Sequence, residues 1–367
     1  MTAPEDRPAW ASNLRSTLGA LSIYDVPPAD ASAARMHANE CPEPWPDAVM
    51  DALADVVRGV ELGRYPDTSG RSLRALLAKQ HGCSADRIVL GNGSDEIIAL
   101  LLMALSSPGA APGVVVTPAP TFVMYAHTAR VLGMTMREVP LTPELALDES
   151  GLDAALTGAT IAFFARPNNP TGGLWDADVI RRLIARHPAV VFVIDEAYVA
   201  YAPAESSMWD PDGPDNQVHM ATLSKVGLAA LRIGYGIAHP QLARAMNTVR
   251  HPYNVSQTSL ALAEAVLGRF GDVQAAMVDR ARDNRARLAE VLGAIAGAVV
   301  LPSAGNMVLV RLAGEDEAPR LRGHLAAAGV LVKDVSKLPR LERCLRVSVG
   351  TTAELDRLAG TLADWRG

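Results

Sequence analysis

Val190-Val191-Phe192-Val193-Ile194-Asp195-Glu196-Ala197-Tyr198 is the stretch on which the fold turns. Five large apolar residues in a row, closed by Asp195, read as a short strand buried on both faces, the habit of parallel sheets covered by helices. Asp195 follows without a spacer. A carboxylate at the end of a buried strand is costly unless a cation or hydrogen-bond donors meet it. It therefore marks either a local cap or salt bridge, or a site for a cationic ligand group.

Outward from this strand the same texture repeats. Short apolar runs at 88–90, 114–117, 161–164, 219–223 and 233–238 read as further strands, and 94–105, 122–132 and 177–186 read as helices between them. Strands alternating with helices predict an α/β domain with a mostly parallel sheet sandwiched by helices. Ahead of it, 47–59 and 72–81 show helical periodicity, while 1–46 is irregular and proline-rich, an arm expected to pack on the body or on a partner subunit. Beyond Val255 the texture changes. Helices over 256–267, 273–292, 318–328 and 353–365, with strands over 299–301, 307–312, 330–333 and 345–349, predict a smaller α+β domain. The division expected is an arm over 1–46, a large domain over 47–270 and a small one over 271–367.

Composition narrows the function classes. The 367 residues are 49% hydrophobic and 20% charged, enough for a core and unlike a disordered chain. The net charge of −6 argues against nucleic acid or an anionic membrane as the main partner. No apolar run approaches the roughly 18 residues of a spanning helix, and the first residues lack the apolar core of a secretory signal. Cys41, Cys83 and Cys344 are scattered, giving neither a disulfide framework nor a metal-ligand spacing. A soluble cytoplasmic protein without a metal centre is expected.

Four features fall at the C-terminal ends of predicted strands, where open α/β sheets bind ligands. Gly91-Asn92-Gly93-Ser94-Asp95-Glu96 precedes a helix, so its free N–H groups and the helix dipole can hold an anion. Arg166-Pro167-Asn168-Asn169-Pro170-Thr171-Gly172 is a stiff loop carrying side-chain amides. Asp195 to Tyr198 offers the carboxylate. Thr222-Leu223-Ser224-Lys225, followed by Arg232, offers an amine that partial desolvation would make nucleophilic, and a guanidinium able to grip a phosphate. Each alone has an ordinary structural explanation. Together they supply what pyridoxal phosphate needs: a phosphate site, a donor to its 3-oxygen, an anion for its ring nitrogen and a lysine for its aldehyde.

With these motifs, the chain resembles the fold-type I pyridoxal-phosphate aminotransferases, and among them most closely the histidinol-phosphate aminotransferase family. The likeness includes His37-Ala38-Asn39-Glu40, Arg64-Tyr65-Pro66-Asp67, Pro120-Thr121-Phe122, Pro252-Tyr253-Asn254-Val255, Pro302 to Asn306 and Leu345-Arg346-Val347. It implies an aspartate-aminotransferase-like fold with a seven-stranded sheet, pyridoxal 5'-phosphate as cofactor, and amino transfer between L-histidinol phosphate and 2-oxoglutarate in histidine biosynthesis. By the same resemblance Lys225 would bond the cofactor's aldehyde carbon and carry the proton, and Asp195 would hold the ring nitrogen protonated. Asn169 and Tyr198 would bind the 3-oxygen, and Phe122 would stack on the ring. Ser94, Asp95, Ser224 and Arg232 would hold the phosphate, joined by Tyr65 from a partner subunit, which implies a homodimer. Tyr24, Asn39, Lys333 and Arg346 would face the substrate.

The sequence departs from the family pattern at three places. Arg232 follows Lys225 by one residue fewer than is common, with Ala230 where glycine is usual. Lys333 stands where many relatives have arginine, keeping the charge without the bidentate fork. Cys41 stands where Asn or Tyr is common. Two other readings share the chemistry: transamination of aromatic amino acids and decarboxylation of threonine phosphate. A non-catalytic, cofactor-binding regulator is disfavoured, because the short arm has no room for a helix-turn-helix and Lys225 is intact.

Overall fold

A computed structural model describes residues 8–15, 32–106 and 111–366. The strands in chain order are β1 (Ala34–Arg35), β2 (Ile88–Asn92), β3 (Val114–Ala119), β4 (Thr135–Pro140), β5 (Ile161–Ala165), β6 (Val191–Asp195), β7 (Gln217–Thr222), β8 (Ile233–Ile237), β9 (Val299–Val300), β10 (Met307–Arg311), β11 (Val330–Leu331), β12 (Lys333–Asp334) and β13 (Cys344–Ser348). The α-helices are α1 (Asp47–Arg58), α2 (Arg71–His81), α3 (Ser94–Leu105), α4 (Val123–Val131), α5 (Glu149–Leu156), α6 (Ala177–Arg186), α7 (Pro240–Val249), α8 (Gln257–Arg269), α9 (Gly271–Gly293), α10 (Glu317–Ala327) and α11 (Thr352–Ala363).

Seven strands form one sheet in the order β2-β8-β7-β6-β5-β3-β4. The pairings among β7, β6, β5, β3 and β4 are all parallel, as the apolar runs predict, whereas β8 runs antiparallel to both β2 and β7. That reversal matters for the site. The start of β8, with Arg232 just before it, lies at the edge where its neighbours end.

Side-chain alternation divides the core into two layers. On β5 and β6, Phe163 and Val193 join α3, α4 and α7 on one face, while Phe164, Phe192 and Ile194 join α5 and α6 on the other. Asp195 shares the face of Val193 by the period of two, and so is aimed toward α4. The seventh strand, β4, is an edge whose Thr-Met-Arg-Glu-Val-Pro sequence buries only Val139 and carries little apolar signal.

A second, four-stranded sheet, β12-β13-β10-β9, is antiparallel and has its own core with α9, α10 and α11. The end of the N-terminal arm belongs to this body: β1 pairs in parallel with β11, and Ala34 and Met36 are buried in its core. Helix α11 starts at a capping box in which Thr351 and Glu354 satisfy each other's backbone N–H groups. Among the described residues no helix is long and apolar enough to cross a membrane.

Candidate active site

Between the two sheets lies a cavity of about 250 Å³. Its floor is the C-terminal edge of the large sheet. Its far wall is β12 and β13, where Lys333 and Arg346 are directly paired across the strands and therefore share a face. Ser94, Asp95, Phe122, Asn169, Asp195, Tyr198, Ser224, Lys225, Arg232, Asn39, Lys333 and Arg346 all line it. One of the described residues expected at the site does not line it. Tyr65 is 80% exposed and stacks on Tyr253 with ring centroids 4.4 Å apart. Tyr24 lies outside the described residues.

Asp195 ends β6 with 5% of its surface exposed. Its carboxylate accepts hydrogen bonds from the Tyr125 hydroxyl and the Ala197 N–H, and among the described residues it forms no ion pair. Burial pushes it up to about 6, against the pull of those two donors. A cationic group entering the cavity would complete its coordination. Glu196, next in the chain, turns to the opposite face. There the Ser207 hydroxyl donates over 2.6 Å, and the His219 ring nitrogen lies 3.1 Å away. Burial alone would raise this carboxyl, but His219, Ser207 and the Met208 N–H hold it below its usual range.

Lys225 ends a short 3-10 turn after β7, in which the Thr222 hydroxyl accepts from the Ser224 N–H. Its Nζ lies 5.7 Å from the centre of the Tyr198 ring and donates to the Ala38 carbonyl at 3.4 Å. The Tyr198 hydroxyl accepts from Asn39 Nδ2 at 3.2 Å, which leaves its own proton available. Asn39 in turn is buried, with Oδ1 accepting from the Ser348 hydroxyl at 2.7 Å, so its polar atoms are turned to protein groups. Asn169 Oδ1 accepts from Arg346 Nη1 at 2.6 Å, which orients the amide so that Nδ2 is the donor left over. Its neighbour Asn168 is fully buried and ties the loop to Pro120, Thr121 and Thr171, a scaffold role.

The anion end is built from the start of α3 and from Arg232. Arg232 donates to the Ser224 hydroxyl at 3.1 Å and lies 3.4 Å from the Asp95 carboxylate. The spacing shortened by one residue is absorbed locally: Ala229–Leu231 make a 3-10 turn and Arg232 itself takes φ +53°. Ala230, at the position where glycine is common, is exposed. Gly93 has φ +78°, and a Cβ there would sit 2.5 Å from Arg232 Nη2. Gly234 on β8 lies so close that a Cβ would meet the Ser94 nitrogen at 2.3 Å. Backbone N–H groups, two hydroxyls and a guanidinium thus converge without an intervening side chain, a fit for a phosphate. The cavity fits pyridoxal phosphate at each end: this cradle, Lys225, and a buried carboxylate without a cation.

Three lining residues with polar side chains received no role from the sequence: Tyr125, which no quoted motif contains, and Thr222 and His37, which lie inside quoted motifs. Tyr125 is completely buried and stacks on Phe163 at 4.7 Å, so it reads as core. The available signal was its place one turn after Phe122, which puts both rings on one helix face. His37 also lines the cavity, with Nδ1 buried and without a hydrogen-bond partner among the described residues.

Comparison with known proteins places this architecture. The chain is 38% identical to histidinol-phosphate aminotransferase 2 of Bordetella bronchiseptica (strain ATCC BAA-588 / NCTC 13252 / RB50), covering 96% of each protein. The solved structure of histidinol-phosphate aminotransferase from Sinorhizobium meliloti in complex with pyridoxal-5'-phosphate matches with a TM-score of 0.79 at 28% identity, over 90% of this chain and 89% of that one. An aspartate aminotransferase variant from Thermus thermophilus, 22% identical, shares the fold with a TM-score of 0.78 over 95% of this chain and 98% of its own. The model of aminotransferase class I and II matches residues 34–362. With a fold-type I architecture and a family match across nearly its whole length, this chain belongs to the class I and II aminotransferases.

Proposed function

We propose that the protein is a pyridoxal-phosphate-dependent transaminase that interconverts L-histidinol phosphate and 2-oxoglutarate with imidazole-acetol phosphate and L-glutamate, a step of histidine biosynthesis. The observation that carries the substrate reading is the pair Lys333 and Arg346 on one face of the small sheet, across the cavity from Lys225. Two cations there suit a phosphate monoester. The relatives at 38% identity carry the same name for that activity.

Pyridoxal phosphate, when bound, supplies an electron sink for the bonding pair released as the substrate loses its Cα proton. The chain's residues do the rest. Lys225 Nζ would hold the cofactor through its aldehyde carbon, and its amine is the base placed to take and return the substrate's Cα proton. Asp195 keeps a proton on the ring nitrogen. Tyr198 and Asn169 donate to the 3-oxygen, each held in that role by a bond from behind, from Asn39 and Arg346 respectively. Ser94, the Asp95 N–H, Ser224 and Arg232 bind the phosphate, and Phe122 covers the ring. Tyr65, exposed on its own chain, reaches the phosphate of a partner's site, so the working form is a homodimer in the cytoplasm. An arm over 1–46, a large domain over 47–270 and a small domain over 271–367 suit this division of labour.

The test is amino transfer by the purified holoenzyme. Glutamate should appear from 2-oxoglutarate when L-histidinol phosphate is the donor, faster than with phenylalanine or tyrosine. Absence of transfer from histidinol phosphate would overturn the reading, and preference for phenylalanine would replace it with an aromatic aminotransferase.

A further inference from the structure

The substrate end of the cavity holds a third basic side chain beside Lys333 and Arg346. His37 lies in the segment that follows β1 and lines the same cavity. Its backbone carbonyl accepts a bond from Arg346 Nη2, which locks the segment to β13. Arg346 is thereby committed twice, to this carbonyl and to Asn169. The His37 ring is not: its Nδ1 is buried and makes no hydrogen bond among the described residues. A buried, unpaired ring nitrogen is an unusual cost in a native protein, and a ligand atom is one way to offset it.

We propose that His37 is a specificity-determining residue, a hydrogen-bond donor that acts with Lys333 and Arg346 to favour a dianionic phosphate monoester over a carboxylate at the substrate's far end. The proposal rests on the transaminase reading above and extends it to a residue with no assigned role. A carboxylate is satisfied by one cation. A phosphate dianion has three oxygens and two charges to place, and the third donor serves only that ligand.

The charges around His37 set its behaviour. Burial holds the imidazolium below its usual range; Glu40 on its own segment opposes this, while Arg346 and Lys333 from the small sheet and Arg35 reinforce it. The ring is thus neutral near pH 7 before a ligand arrives. A dianion cancels the field of the cations and favours protonation, so dianion binding takes up a proton. Affinity then falls as pH rises past neutrality.

Sulfate, doubly charged across this range, is the probe. The holoenzyme is assayed in its glutamate half-reaction with sulfate as competitive inhibitor at pH 6 and pH 8. Wild type should bind sulfate several-fold more weakly at pH 8, up to about tenfold per pH unit within the titration window. His37→Gln should flatten that dependence and raise KM for histidinol phosphate about tenfold more than KM for glutamate. His37→Asn, with a shorter amide, gives the same comparison if the first variant folds poorly. Equal sulfate slopes in wild type and both variants would overturn the role of His37. A His37-dependent slope in an enzyme inactive on histidinol phosphate would uphold the anion role while overturning the substrate.

Discussion

Asp195 is a carboxylate buried at the end of a strand, with no cation beside it among the described residues. Its carboxyl is pushed up to about 6 by burial, well above the ordinary aspartate value. Between about pH 4 and 6 the cofactor-free native protein keeps a proton that the unfolded chain releases. Stability of that form therefore falls as pH rises through this window, by on the order of 3 kcal/mol from this group. Asp195→Asn, which has no charge to bury, should escape the loss. Melting temperatures of the cofactor-free proteins should therefore diverge in favour of the variant between pH 4 and 7, and parallel curves would refute the assignment. The holoenzyme should show the opposite ranking in activity, with Asp195→Asn slower by about a hundred- to a thousandfold in kcat/KM. The residues legible from sequence share one trait: Asp195, Asn169, Lys225 and Ser94 are polar groups at the ends of apolar strands. Tyr125 escaped because an aromatic ring in an apolar helix is what a core contains, and Thr222, though quoted, received no role because a threonine in a strand is equally ordinary.

At the scale of elements, the anion cradle depends on how closely β8 and the β2–α3 turn approach. Gly93 adopts φ +78° and ψ 169°, a region open in practice to glycine alone, and sits against the Arg232 guanidinium. Gly93→Ala should strain the turn by about 1–3 kcal/mol and displace Arg232. The expected outcome is a cofactor dissociation constant raised about tenfold or more, read by absorbance titration of the cofactor-free protein, with a lowered melting temperature. Unchanged cofactor affinity would show that Arg232 does not bind the phosphate from this position. Buried strands such as β5 and β6 were readable because each is a continuous apolar run. Strand β4 was not, since at the sheet edge Arg137 and Glu138 are only partly covered or exposed. Helix α7 was missed although Pro240 at its first turn, capped by His239, is a recognised start signal. The reversed direction of β8 has no local signature at all, because strand direction is set by connections and not by side-chain pattern.

At the scale of the whole molecule, the cavity takes its cofactor end from one sheet and its substrate cations from another, yet one expected contact is missing from the chain's own wall. Tyr65 stands 80% exposed beside Tyr253, which is 44% exposed, and the two rings stack with planes 21° apart. A pair of large exposed aromatics is a natural contact for a second copy, and in a two-fold dimer each would point at the other subunit. Mixing subunits can decide this. Tyr65→Ala should weaken cofactor binding, and Lys225→Ala should abolish transfer, with a loss of about 10⁴-fold or more. If Tyr65 serves the partner's site, a mixed dimer of the two variants contains one site with both substitutions and one with neither. Co-refolded or co-expressed proteins should then recover about half the wild-type activity per mixed dimer at limiting cofactor, far above either variant alone. If Tyr65 serves its own chain, no site in the mixed dimer is intact, and activity at limiting cofactor stays at the level set by the Tyr65→Ala subunits. The measurement separates a site completed across the two-fold axis from one that each chain completes for itself.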